Sequence, residues 1–166
     1  MSFAGFLQWL HDTGFSITLR ESVWAEPIVE TIHVLTLTFF LGFTVLLDLR
    51  LIGVTMRRRR VSEVFGQLNP LIMGSFAVMI VSGVLLFSGD PVSFFTSIFF
   101  KMKMLMLMLA LVNILVFILT VGRKVAEWDL DAQTPRGAKV AAIVSLVLWA
   151  AIVAAGRAIA YNIPLP

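Results

Sequence analysis

Apolar positions in this chain gather into four long runs, roughly 27 to 54, 70 to 88, 97 to 121 and 136 to 161, each near the length that carries a helix across a bilayer. Ahead of them, Phe3, Phe6, Leu7 and Leu10 recur at helical spacing beside Trp9, while Gln8, His11 and Asp12 interrupt the apolar pattern. That pattern predicts a short amphipathic helix lying on the interface within residues 1–25, with a second turn from Ser16 through Leu19 to Trp24. Asn69 before Pro70 and Thr134 before Pro135 read as cap and first helical residue, so spans two and four are expected to start there. Gly89 and Pro91 around Asp90 predict the turn after span two, and Gly122 the end of span three. Val61, Val64, Phe65 and Leu68 suggest a separate interfacial helix in the first loop. The connections are short, so successive helices are expected to be antiparallel neighbours. The expected fold is all-α: one integral membrane four-helix bundle over residues 1–166 with a short N-terminal amphipathic helix.

Composition agrees with that pattern. A chain of 166 residues with 59% hydrophobic and 14% charged residues is too apolar for an ordinary soluble domain. No basic residue precedes Arg20 and no small-residue cleavage site follows the first apolar residues, so no removable signal peptide is expected. There is no cysteine, which excludes disulfides, thiolate metal sites and thiol catalysis. The net charge of +3 does not point to nucleic acid, because the basic residues sit between the spans. Arg50, Arg57, Arg58, Arg59, Arg60, Arg123, Lys124, Arg136 and Lys139 flank the first and third loops, which are expected to be cytoplasmic, with both termini on the periplasmic side of a bacterial inner membrane. Trp9, Trp24 and Tyr161 would then belong to the outer aromatic belt. In span four, Ala150, Ala154 and Ala158 at steps of four, with Ala151 and Ala155 alongside, predict a close helix contact, either within the bundle or between protomers of a homo-oligomer.

The candidate chemistry lies in the first span. Charged groups there are costly and normally face a bundle interior or cavity. At about 100° per residue, Glu26, Glu30, His33, Leu37, Thr44 and Asp48 share one face. Counting from the outer end puts Glu30 about 5 Å and His33 about 9 Å deep, and Arg157, Lys101 and Lys103 return to a similar level. Glu30 with Arg157 is the expected ion pair. Asp48, near the other side, has Arg50, Arg123 or Lys139 as expected counter-charges.

One use of these groups is haem b. His33 would be the axial ligand, Arg157 with Lys101 or Lys103 would meet the propionates, Gly42 and Gly156 would leave room for the ring, and Phe39, Phe40 and Trp149 would line an apolar wall. Met104, Met108 and His11 are weaker second ligands. Glu26, Glu30 and His33 at steps of four and three offer a copper or zinc site instead. A scaffold held by a buried Glu–Arg clasp is the third reading. Proton relay from His33 to Asp48 would cross the dry stretch of Leu37, Phe40 and Leu41. No HExxH pair, nucleophile elbow or phosphate loop occurs, and Ser82, Ser88 and Ser145 have no histidine near them in sequence, so hydrolase and nucleotidase chemistry is not expected. An electron-transfer partner or quinone is not specified.

The runs RESVWAEPIVETIHVL, GFTVLLDLRLIG, SGVLLFSGDP, FKMKMLMLMLALVN and AAGRAIAY resemble an uncharacterised bacterial group of small four-span membrane proteins, known as a domain of unknown function. More distantly, His33 followed nine residues later by Gly42 is similar to copper-resistance D-type domains and cytochrome-b-like bundles. That likeness implies haem or copper. A histidine is expected after the span-three asparagine in the small group. Here Asn113 is followed by Ile114, Leu115, Val116, Phe117 and Ile118.

Overall fold

The polar and glycine-bearing breaks separate four membrane-length helices in a computed structural model that describes residues 2–129 and 134–162. In chain order the helices are α1 (Phe3–His11), α2 (Gly14–Glu21), α3 (Ala25–Ile52), α4 (Val61–Gly89), α5 (Pro91–Thr96), α6 (Ile98–Leu119), α7 (Val125–Trp128) and α8 (Arg136–Asn162), with a 3₁₀ turn at Gly122–Lys124. The four long ones, α3, α4, α6 and α8, are apolar enough to cross a bilayer, and the protein is a multi-pass membrane bundle. Much of their apolar surface faces outward, as in Leu105, Met108, Val81 and Val147.

Local chemistry explains most boundaries. Gly53 ends α3 at φ 88°, where its amide meets the Leu49 and Arg50 carbonyls. A side chain would be strained there. Thr13 caps α2 through the Ser16 amide, and Asp90 caps α5 through the Ser93 amide with Pro91 in the first turn. Span two departs from the expected boundary. Asn69 and Pro70 do not open it; α4 starts at Val61 and runs through Pro70, so the expected loop helix is its first turns. A proline removes one backbone bond, and packing on both sides of it holds the helix together. The last span begins at Arg136, as its apolar run predicts, with the Pro135 carbonyl receiving its first amides.

The main packing runs from α4 to α3, from α3 to α8 and from α8 to α6, while α4 meets α6 through the stacked rings of Phe87 and Phe100, 5.5 Å apart. At one end, α1, α2 and α5 form a lid. Ser16 is fully buried there, and its hydroxyl lies 2.6 Å from the Ser88 carbonyl and 2.7 Å from that of Leu10. Arg20 donates to the Gly89 carbonyl at 2.9 Å. Ser16→Ala is expected to weaken lid docking by about 1–3 kcal/mol, because a buried carbonyl loses its partner. Amide exchange in α1 and α2 should accelerate while the spans stay protected; unchanged lid exchange would show that Ser16 is not the pin.

At the other end, Leu51, Val61, Trp128, Ala138 and Ala142 form a small core backed by Phe117 and Val121. Arg50 is buried with both donors on the Arg59 carbonyl, at 3.0 and 2.6 Å, and so braces the α3–α4 connection. Asp129 accepts from the Ser62 amide at 2.9 Å and from the Ser62 hydroxyl, at the start of α4. Desolvation pushes its carboxyl up, but the Ser62 and Val61 donors and the Arg60 charge outweigh this and hold it below the usual carboxylate range. A depressed folded value means stability that is present above the unfolded value, about 4, and lost as pH falls through the folded one. Wild type should therefore melt above Asp129→Asn at pH 7 and lose that advantage in acid; an advantage independent of pH would remove the charge from the account.

Candidate functional site

His33 is the membrane-embedded histidine, and α4 receives it. Its ring stands between α3 and α4, half-buried, with Nδ1 2.8 Å from Ser82 Oγ. The Ser82 hydroxyl also lies 2.8 Å from the Val78 carbonyl and 3.2 Å from that of Met79, two acceptors that require its proton. With the serine proton on one of these carbonyls, its oxygen accepts from Nδ1–H, the tautomer in which Nε2 keeps a free lone pair. Gly83 makes the approach possible: a Cβ there would stand 3.3 Å from His33 Cε1.

Two other spans complete the site. Lys103 on α6 is half-buried on the inner side and makes no ion pair among the described residues. A Cβ on Gly156 of α8 would stand 3.9 Å from Lys103 Nζ. Below this layer Phe40, 4% exposed, meets Phe76 at 5.6 Å and the edge of Trp149 at 4.6 Å between ring centroids. These rings form a dry floor under the polar layer.

This constellation, His33, Ser82, Gly83, Lys103 and Gly156, draws on all four spans, and its residues fall inside the 12–162 region matched by a family description. The chain belongs to the family of unknown function DUF6644. No curated protein and no solved structure matches it. The copper-resistance D-type and cytochrome-b-like resemblance therefore gains no support from these comparisons.

In this DUF6644 protein several expected partners are not brought together. Glu30 is exposed and lines a shallow outer groove with Thr31, Val34, Leu35 and Thr38. Arg157 is exposed as well and turns to Tyr161, donating to its hydroxyl at 3.3 Å with the guanidinium 5.6 Å from the ring centre. The Glu30–Arg157 clasp is not formed; among the described residues the sole ion pair is His11–Asp90, at 3.5 Å in the lid. The reason is azimuth: Glu30 sits off the covered side of α3, where its neighbour Val29 is half-buried, and Arg157 turns outward on α8. Lys101 leans over Phe95 at 5.2 Å, and Lys103 takes the inward place. Two residues apart on a helix are about 200° apart, so only one of the two can face inside.

Gly42 is exposed with nothing near it, on the side of α3 opposite His33, and Phe39 stacks on Phe43 at the surface. Met104 and Met108 face outward. His11 is held at the lid, 3.3 Å from Arg20. Among the described residues no three His, Asp or Glu side chains converge on a metal-sized site, and Glu26 and Glu30 are both exposed. Trp149 and Gly156 do reach the interior. Ser82, without a histidine neighbour in sequence, is the partner that sequence reasoning missed; a long-range contact across 49 residues leaves no local signal.

Proposed function

We propose that this protein is a b-type haem-binding membrane protein, with an electron-transfer or sensing role. The observation that carries the reading is the His33–Ser82 bond at Nδ1, inside a membrane bundle, which in the Nδ1–H tautomer leaves Nε2 as a lone-pair donor. Metal-bound histidines characteristically donate their other ring nitrogen to a fixed acceptor, the role Ser82 is placed to fill. A porphyrin brings four nitrogens of its own, so one protein ligand suffices where a bare copper or zinc ion would need three or four. Lys103, which makes no ion pair among the described residues, suits a propionate, and Phe40 with Trp149 offers an apolar floor; Lys103 replaces Lys101 and Arg157 in that role. When bound, haem would supply one-electron chemistry. The residues named here bind it, orient the imidazole and keep water away.

The basic residues around the α3–α4 and α6–α8 connections support an orientation with those ends in the cytoplasm and both termini in the periplasm of a bacterial inner membrane. Self-association through Ala150 and Ala154, which are exposed on α8, belongs to the same proposal. The test is an absorption spectrum of protein purified from membranes, before and after supplying haem. A Soret band at about one haem per chain is expected. No band, and no change on supplying haem, would overturn the reading.

A further inference from the structure

Beneath the aromatic floor lies a second polar layer that the haem reading does not use. Asp48 is 5% exposed, and Thr44 stands one helical turn before it on α3. From α8, Ser145 faces Asp48 at the same level. One turn away on α8 the Ala141 carbonyl accepts from Asn113 Nδ2 at 2.9 Å, which ties α6 to the same level. Elsewhere, hydroxyls on the long helices satisfy themselves: Thr31, Thr38, Ser75, Ser82, Ser88 and Thr120 each donate to the carbonyl four residues back. Thr44 does not. Its Oγ1 and Asp48 Oδ2 are both sealed from solvent without a hydrogen-bond partner in the protein.

The expected counter-charges are engaged elsewhere or out of reach. Arg50 is bound to the Arg59 carbonyl, and Arg123, Lys124, Arg136 and Lys139 make no ion pair with Asp48. A buried carboxylate with a free oxygen and no cation is a costly arrangement that calls for a compensating charge. The donors around it are all hard oxygens, one carboxylate and two hydroxyls, which suit an alkali or alkaline-earth ion rather than a transition metal. One negative charge in an apolar interior is neutralised by a single positive charge; a divalent ion would leave an excess. The geometry points to a binding site for a small hard monovalent cation, of the sodium class, held by Asp48, Thr44 and Ser145. Asp48 stands four residues before the end of α3, about 6 Å along the axis, so the ion enters from the arginine-rich end. The site is separate from His33 and does not depend on haem.

The experiment is thermal unfolding of the full chain in detergent, followed by tryptophan fluorescence, with sodium chloride replacing choline chloride at constant ionic strength and fixed pH. Wild type should gain about 3 °C at ten times the dissociation constant and follow a saturable curve. Asp48→Asn should show no sodium response and, in choline, melt at or above wild type, which a purely structural carboxylate would not do. Thr44→Val should raise the half-saturating concentration about tenfold, the effect of losing roughly one hydroxyl ligand. A wild-type melting point indifferent to sodium, or a response that survives in Asp48→Asn, overturns the proposal. Should Asp48→Asn not fold, an unchanged half-saturation in Thr44→Val does so.

Discussion

Replacing Phe40 by alanine is expected to destabilise the bundle by about 2–3 kcal/mol, the largest loss for any single truncation in the spans. Phe40 touches Phe76 on α4 and Trp149 on α8, so one ring joins the two helices packed on α3. In a soluble core the same change costs roughly 3–5 kcal/mol, of which part is transfer from water. Here the unfolded reference remains in lipid, and that part falls away. What is left is the cavity and the lost dispersion and edge-on ring contacts. Phe39 provides the control, since it is 54% exposed and stacks only on its own helix. Phe39→Ala should lie within about 0.5 kcal/mol of wild type, as for a surface change. Equilibrium unfolding of both variants in the same detergent checks this; equal losses would mean that the Phe40 ring is not a keystone of the interior.

The second large effect concerns His33. On the haem reading, His33→Ala abolishes the Soret band, while helical content by circular dichroism stays at the wild-type level. Ser82→Ala should keep the band but weaken haem binding by about 10–100-fold, because the imidazole loses the acceptor that fixes its tautomer and orientation. The split between the two variants matters more than either loss. A structural polar contact would give similar modest destabilisation in both and no spectral difference. Wild-type haem stoichiometry in His33→Ala would dismiss the axial assignment.

Much of the architecture was legible because lipid enforces it. Backbone groups in hydrocarbon must pair within a helix, so four long apolar runs can be little else than four helices. The Gly53 stop, the Asp90–Pro91 turn and the amphipathic lid could likewise be read from local chemistry. Pro70 was misleading for the opposite reason. Its local preference marks a helix start, whereas the helix carries on through it because residues from Val61 onward are already packed, with Val61 and Val64 buried. Depth along the helix put Lys101 and Lys103 at the same level, and it does not decide which of them faces inward.

The sequence by itself determined the helices, their lengths, the polarity of their ends and the fact that ionisable groups enter the membrane on α3. Only the tertiary structure decided which of those groups meet. His33 found Ser82 and Lys103 found the interior, while Glu30 and Arg157 were left on the surface. Azimuth along one helix is local and follows from residue spacing. Coverage of that azimuth depends on where the neighbouring helices lie, and packing fixes that through contacts such as Gly83 against His33 and Phe40 against Trp149.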